Sequence, residues 1–320
     1  MLENEYQPNN QDTKVSSQKL NIVKIYAISA IIATILAVAL RTVCLFYFYD
    51  IEIGYHSEGF VTTFFEIFSL LSILLFASSI FVVKRDTPTS DGNGTGLFVK
   101  LGSAAALLAF TAYFLMSVFS TSLVASSAAF DLLSKITALM AIVYFAIGVF
   151  APNTNKNIRG LLGFGVIIWC IYALAITYFD IYVQLNSPDK IMLHLALISI
   201  MVFIVSELRC FVLQIKKGFY LFSACTATFF CALSSIPSFL FGSSIGELNK
   251  YYIYDAVIFA IGIYSLGRLI SFVFGKAVVE EQTLEKQPSE ELISEEQPSE
   301  LAEETEAPDV SIDSEKESDE

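Results

Sequence analysis

Eight long apolar runs constrain the fold of this chain more than any other feature. A helix needs about 20 apolar residues to cross the hydrocarbon core of a bilayer. Because lipid offers no hydrogen bonds to the backbone, runs of this length must form helices. We predict an all-α, polytopic transmembrane helical bundle with spans at residues 22–46, 60–83, 98–123, 132–151, 160–184, 190–213, 219–242 and 251–275.

The composition agrees with lipid as the solvent of this region. Only 16% of the residues are charged, whereas about 25% is usual in soluble domains. The chain contains 28 Phe against 19 Lys and Arg together. A bilayer is therefore the predicted environment and first partner of residues 21–276.

The two ends of the chain differ from this apolar part. Residues 1–20 are polar, and residues 277–320 are rich in Glu, Ser and Pro, so we expect two disordered tails. The net charge is −13, but residues 280–320 alone carry −15 and leave +2 for the remainder. The acidic tail is either simply solvated or docks on a basic cytosolic protein. Nucleic-acid binding is excluded, because the chain has no basic surface to support it.

The distribution of Lys and Arg predicts the orientation. If the N-terminus is cytoplasmic, thirteen of these residues fall on the inner side and four on the outer side. Cytoplasmic loops of membrane proteins carry this excess. We expect both termini in the cytoplasm, a cell-membrane location, and a first span that acts as an uncleaved signal anchor.

The first and fifth spans end in similar sequences. The first span ends in Phe48-Tyr49-Asp50-Ile51, and the fifth ends 130 residues later in Tyr178-Phe179-Asp180-Ile181. This predicts two parallel four-helix repeats related by an axis along the membrane normal. Chance similarity between apolar helices is the alternative.

Small residues recur at four-residue steps in two spans. They are Ser29, Ala33 and Ala37 in the first span, followed by Arg41, and Ser223, Ala227, Cys231 and Ser235 in the seventh. Small residues let helix backbones approach closely in membranes. We expect these stripes to be packing surfaces.

Ionisable residues within the spans are the candidate polar sites. Each costs at least a few kcal/mol in hydrocarbon unless a partner or water meets it. By depth we predict an Arg41–Glu66 ion pair, with Asp50 or Asp180 nearby, and a Glu207–Arg268 pair. Each pair is either a clamp that fixes helix register or part of a cavity lining. The full set of candidates is Arg41, Glu66, Asp180, His194, Glu207, Arg209 and Arg268.

Arg209 and His194 have separate predicted roles. The long side chain of Arg209 can extend towards the membrane–water interface, or it can compete for other hydrogen-bond acceptors within the bundle. We expect His194 to hydrogen-bond between helices, and a proton relay is its alternative role.

Motifs for catalysis and cofactor binding are missing from the sequence. It has no H-E-x-x-H, G-x-S-x-G, P-loop or G-x-G-x-x-G pattern. Only two histidines occur, and the five cysteines lie in apolar runs without a C-x-x-C pair. We predict no catalytic residue, metal or cofactor, and expect the cysteines to be small buried hydrophobes.

Several phrases resemble those of a group of uncharacterised multi-spanning membrane proteins of clostridial-type bacteria. The phrases are Arg41 with Phe48-Tyr49-Asp50 and Gly54, Trp169, Ser206-Glu207-Leu208-Arg209, and Ser235-Ile236-Pro237. The resemblance covers most of the apolar part but not the acidic tail. It implies a bacterial cytoplasmic-membrane location and lends no activity.

Three functions remain open at this point. A non-enzymatic membrane component, either a sensor or an accessory subunit, fits the missing catalytic motifs and the cytosolic tail. A small-solute or ion transporter fits the repeat and the buried charges. An intramembrane lipid-modifying enzyme would need acids and His facing one pocket. Convergence of the polar candidates on a cavity would favour the last two, and separate pairs would favour the first.

Overall fold

The structure is a computed structural model that describes residues 10–50, 55–57, 59–83, 96–119, 128–152, 154–180, 187–212, 216–245 and 251–274. Eight helices contain nearly all of these described residues. All eight are long and apolar enough to cross a membrane, which confirms the predicted fold class. The helices are α1 (Asn10–Phe48), α2 (Phe60–Val82), α3 (Leu97–Phe119), α4 (Ala128–Phe150), α5 (Lys156–Phe179), α6 (Pro188–Val212), α7 (Lys217–Ile245) and α8 (Tyr252–Phe274).

The helix ends differ from the predicted spans mainly at α1. This helix begins at Asn10, before the first residue of the span predicted at 22–46. The reason lies in the sequence, because no Gly or Pro occurs between Asn10 and Leu20 to break a helix. The first nine residues and the predicted tail at 277–320 lie outside the described residues.

Local side-chain bonds fix where two of the helices begin. At α2, the Thr62 hydroxyl accepts a hydrogen bond from the Gly59 backbone N–H at 3.1 Å. At α5, the Asn155 side chain accepts from the Asn157 N–H at 3.0 Å. Both contacts satisfy donors at a helix start, where an intrahelical acceptor is missing.

A short antiparallel hairpin joins α1 to α2. Its strands are β1 (Tyr49–Asp50) and β2 (Tyr55–His56), with Tyr49 opposite His56. We call the end of the bundle that carries it the hairpin end. The other end, where α1, α3, α5 and α7 begin, is the distal end.

Helices α3 to α8 form a closed ring. Each packs on the next in chain order, and α8 packs back on α3. Rings from several of these helices meet inside it: Phe110 lies 4.9 Å from Trp169 and 5.7 Å from Phe145, and Tyr264 lies 5.2 Å from Phe145, between ring centroids. The interior of the ring is thus filled by aromatic side chains at this level.

Glycines allow α3 and α8 to pack this closely. A Cβ on Gly102 would lie 2.6 Å from the Tyr264 Cα, and one on Gly267 would lie 2.5 Å from the Phe98 carbonyl oxygen. Both neighbours are backbone atoms that cannot move aside without shifting a helix. The α3–α8 contact therefore depends on the missing side chains at these two positions.

Helices α1 and α2 pack against α7, and α1 also contacts α8. The predicted stripes take part, since Ala33 and Ala37 on α1 and Ala227 and Cys231 on α7 are all buried. The predicted repeat is only partly reflected in the packing. The α1–α2 contact matches α5–α6, but α1–α7 has no extensive counterpart between α3 and α5 among the described residues. The two-repeat arrangement therefore stays a prediction.

Candidate polar sites within the bundle

The predicted Glu207–Arg268 ion pair is present near the distal end. A terminal guanidinium nitrogen of Arg268 on α8 lies 2.5 Å from Oε1 of Glu207 on α6. The side chains are only 2% and 1% exposed, so water contributes almost nothing to this site. The Tyr264 hydroxyl donates to the same oxygen at 2.5 Å and accepts from Arg268 Nε at 3.0 Å. Two charges and a phenol thus form one compact unit.

Three further side chains complete this unit, which we call the distal cluster. Tyr144 on α4 and Tyr220 on α7 are buried, and both lie within electrostatic reach of Glu207 and Arg268. Arg159, one turn into α5, places its guanidinium carbon 5.9 Å from the centroid of the Tyr144 ring. Such cation–π contacts are stabilising when desolvated. Five helices contribute to the distal cluster.

The predicted Arg41–Glu66 pair is wrong. A terminal nitrogen of Arg41 lies instead 2.6 Å from Oδ1 of Asp189, in the first turn of α6. Arg41 is 1% exposed on α1, whereas Glu66 is exposed on α2. Residue counting predicts how deep Arg41 lies in the membrane. Its partner, however, depends on how each helix is rotated about its own axis.

Further polar groups surround Arg41 at the hairpin end. Asp255 on α8 is 3% exposed, lies within electrostatic reach of Arg41 and Asp189, and faces Ser234 on α7. His56 of the hairpin packs edge-on against Tyr49, with ring centroids 5.4 Å apart. Burial lowers the pKa of His56, and the Asp189 carboxylate offsets part of this shift. Burial and Asp189 both raise the pKa of Tyr49. Helices α1, α6, α7 and α8 and the hairpin therefore share one charged site.

Asp180 belongs to a different group of contacts. Its Oδ2 accepts a 2.5 Å hydrogen bond from Tyr251, and its backbone carbonyl accepts from Lys190 Nζ at 3.1 Å. Lys190 also donates to the Tyr178 carbonyl and is 1% exposed. Burial, with this contact to Asp180, raises the pKa of Tyr251. The group ties the C-terminus of α5 to the starts of α6 and α8.

The remaining candidates occupy separate positions. His194 lies 3.0 Å from the Thr177 hydroxyl on α5, which is the predicted hydrogen bond between helices. Arg209 is exposed in the last turn of α6. Glu66 forms no ion pair with any residue in the described part of the chain. The candidates thus divide among several sites.

Several residues of these sites escaped sequence reasoning. Asp189 and Lys190 sit at a helix start, where a polar residue is ordinary, and nothing in the pattern indicates burial. Tyr264 could have been found, because it precedes Arg268 by four residues and so shares its helix face. Asp255 could also have been found as an acid three residues into an apolar run.

Metal ligands do not assemble in the part of the chain that the structure describes. No three His, Cys, Asp or Glu side chains come close enough there to hold an ion. The five cysteines are all free thiols, four of them buried.

These observations define the class of the molecule as a multi-pass α-helical membrane protein with polar sites buried near both ends of its bundle. Comparisons with family models, curated proteins and solved structures find no match for the chain.

Proposed function

We propose that this protein is a non-enzymatic component of a bacterial cytoplasmic membrane, serving as a sensor or an accessory subunit. The observation that carries the proposal is the way in which the polar candidates divide. Arg41 binds Asp189, Glu207 binds Arg268, and His194 meets Thr177, each at a different place. Contacts at separate places hold neighbouring helices in register, whereas one transport or catalytic site would bring Arg41, Glu207 and His194 together.

The orientation with both termini in the cytoplasm belongs to this proposal. Lysines and arginines of the described part favour the distal end, where Lys24, Lys100, Lys156, Arg159, Lys216 and Lys217 are found. Arg41, Lys135 and Lys190 lie towards the hairpin end. The excess supports a cytoplasmic distal end. The bacterial assignment is supported by the sequence resemblance alone.

The acidic tail is the proposed contact with a cytosolic partner. Residues 280–320 carry a net charge of −15 and follow the distal end of α8. A partner with a basic surface would be attracted to this charge, while anionic lipid headgroups would repel it. The tail thus favours a protein partner over the membrane surface.

A small-solute transporter is the second candidate. It is favoured by the distal cluster, where Glu207, Tyr144 and Tyr220 each retain a buried polar atom without a partner among the described residues. Intramembrane ionisable groups often mark substrate pathways.

Native mass spectrometry and flux measurements separate the two candidates. The accessory-subunit proposal predicts a stoichiometric complex with a second membrane or cytosolic chain when the full-length protein is extracted from its own membrane. Replacing the acidic residues of 280–320 with Gln and Asn should release a cytosolic partner, with the membrane part still folded. Protein-dependent solute flux in proteoliposomes, reduced in Tyr144→Phe and Tyr220→Phe, would contradict the proposal and favour transport.

A further inference from the structure

Glu66 is a charged side chain exposed well inside a helix. It is the seventh of the 23 residues of α2 and lies about 9 Å from the start of that helix. The helix is about 34 Å long and the hydrocarbon core about 30 Å thick, so Glu66 falls within the apolar layer. Among residues whose side chains are described, the other exposed charges within helices are Lys100, Lys156 and Arg209. Each of these three lies in a first or last turn, from which a long side chain reaches the interface.

The described part of the chain offers no compensating charge to Glu66. Arg41 and Lys135 are each bound by an aspartate, and Lys190 donates to backbone carbonyls. Burial lowers the pKa of His56, so this imidazole is uncharged at neutral pH. Acids within a membrane almost always face the interior of a bundle or a water-filled cavity, because an unpaired charge in hydrocarbon is costly. The exposure of Glu66 therefore indicates that another molecule covers this face of α2.

The exposed face forms a continuous stripe along α2. Thr63, Ile67, Leu70 and Leu74 lie within about 100° of Glu66 around the helix, and all of them are exposed. Helix α2 packs on α1 and α7 along its other side. Six of its 23 residues are buried, against fifteen of 23 in α8. The stripe runs for about 16 Å, or three turns, which is enough to take one further helix.

The charge of Glu66 restricts what can occupy this stripe. A twofold dimer presents the same face from both copies, so two Glu66 carboxylates would meet at one depth and repel each other. Anionic lipid headgroups carry the same sign of charge and lie at the membrane surface. A helix with a Lys or Arg at the depth of Glu66 instead supplies the opposite charge, so that neither group is left unpaired in hydrocarbon.

We propose that the stripe from Thr63 to Leu74 is a docking surface for a transmembrane helix of a different chain, which carries a Lys or Arg opposite Glu66. This proposal rests on the accessory role proposed above and names its contact within the membrane. It assigns a partner to the charged residue that Arg41 leaves unpaired.

Photocrosslinking in the protein's own membrane tests the docking surface. The photoreactive residue p-benzoylphenylalanine replaces Leu70, one turn from Glu66, in the full-length chain. Leu108 on α3 is the matched control, because it is 71% exposed near the middle of its helix, as Leu70 is at 58%. We expect position 70 to crosslink to one other membrane chain and position 108 not to do so. The crosslink should be lost in Glu66→Lys and return when the intramembrane Lys or Arg of that chain is replaced by Glu.

Other results at position 70 would overturn the proposal. They are a product with the mass of two copies, a lipid adduct alone, or a crosslink that survives Glu66→Lys. Thermal unfolding of the purified chain in detergent excludes misfolding as the cause of a lost crosslink. Glu66→Gln and wild type should melt at the same temperature, and a lower midpoint for the variant would show that Glu66 is held within its own chain.

Native mass spectrometry of the same membranes separates this proposal from the accessory role. A stoichiometric complex that persists while position 70 crosslinks to no other chain would overturn the docking surface and leave the accessory role standing. The absence of any complex would overturn both.

Discussion

Glu207 and Arg268 are in contact at 2.5 Å between α6 and α8, and both are almost fully buried. Removing one partner leaves the other charge alone in an apolar medium, which costs about 3–5 kcal/mol. We predict that Glu207→Gln and Arg268→Gln each strongly lower the thermal midpoint in detergent. The double variant should lose much less than the sum of the two, because neither charge is then left unpaired. Additive losses would show that the contact does not couple the helices.

The Arg41–Asp189 contact gives a prediction with a built-in control. Arg41→Gln and Asp189→Asn should each destabilise the protein, and the double variant should lose less than their sum. Glu66→Gln is the control, because Glu66 is exposed on α2. Its effect should simply add to that of Arg41→Gln. Coupling of Arg41 to Glu66 rather than to Asp189 would contradict the observed pairing.

The close packing of α3 on α8 predicts that an alanine at Gly102 destabilises the protein, whereas an alanine at Gly160, outside this contact, does not. Gly102→Ala places a methyl group 2.6 Å from the Tyr264 Cα, so the helices must separate. We expect a loss of about 1–3 kcal/mol in the free energy of unfolding. Gly160→Ala on α5 meets nothing within 4 Å and should be neutral or stabilising, because Ala favours the helix. Equal melting temperatures for the two variants would refute the close contact.

The partial burial of His56 predicts how the stability of the protein changes with pH. Burial lowers its pKa in the folded state below the unfolded value of about 6.5. Between these two values the unfolded chain binds more protons, so the stability contributed by neutral His56 is complete above about pH 6.5 and declines as the pH falls. Thermal midpoints from pH 7.5 to 5 should therefore decrease more steeply for wild type than for His56→Gln. Parallel curves would show that this imidazole titrates as it does in the unfolded chain.

The sequence predicts the membrane spans and the depth of each polar residue, but it does not predict which helices pack together. Run length and composition suffice for the eight spans, since helix formation in lipid is nearly obligatory. Depth along a helix also follows from residue counting, and it correctly paired Glu207 with Arg268. The failure at Arg41 shows what counting leaves out. Glu66 lies on the neighbouring helix in sequence, but Asp189 is brought to Arg41 by the packing of α1 on α7 and of α6 on α7, which no local pattern specifies.

The distal cluster illustrates the same limit. The role of Tyr264 could have been predicted, because it lies four residues before Arg268. In contrast, Tyr144 and Tyr220 are many residues away from Glu207 in the sequence and look like ordinary aromatic residues. Only the closed arrangement of α3 to α8 brings them to one place.

The central claim is that the eight helices cross a membrane and leave the hairpin and the distal end on opposite sides. Single cysteines at Ser57 in the hairpin and at Lys216 before α7, in a full-length background without the five native cysteines, test it directly. Both native side chains are exposed. In intact cells a membrane-impermeant thiol reagent should label the cysteine at position 57 only, and the one at position 216 should react only after permeabilisation. Labelling of both positions in intact cells, or recovery of the folded chain in buffer without detergent, would contradict the account.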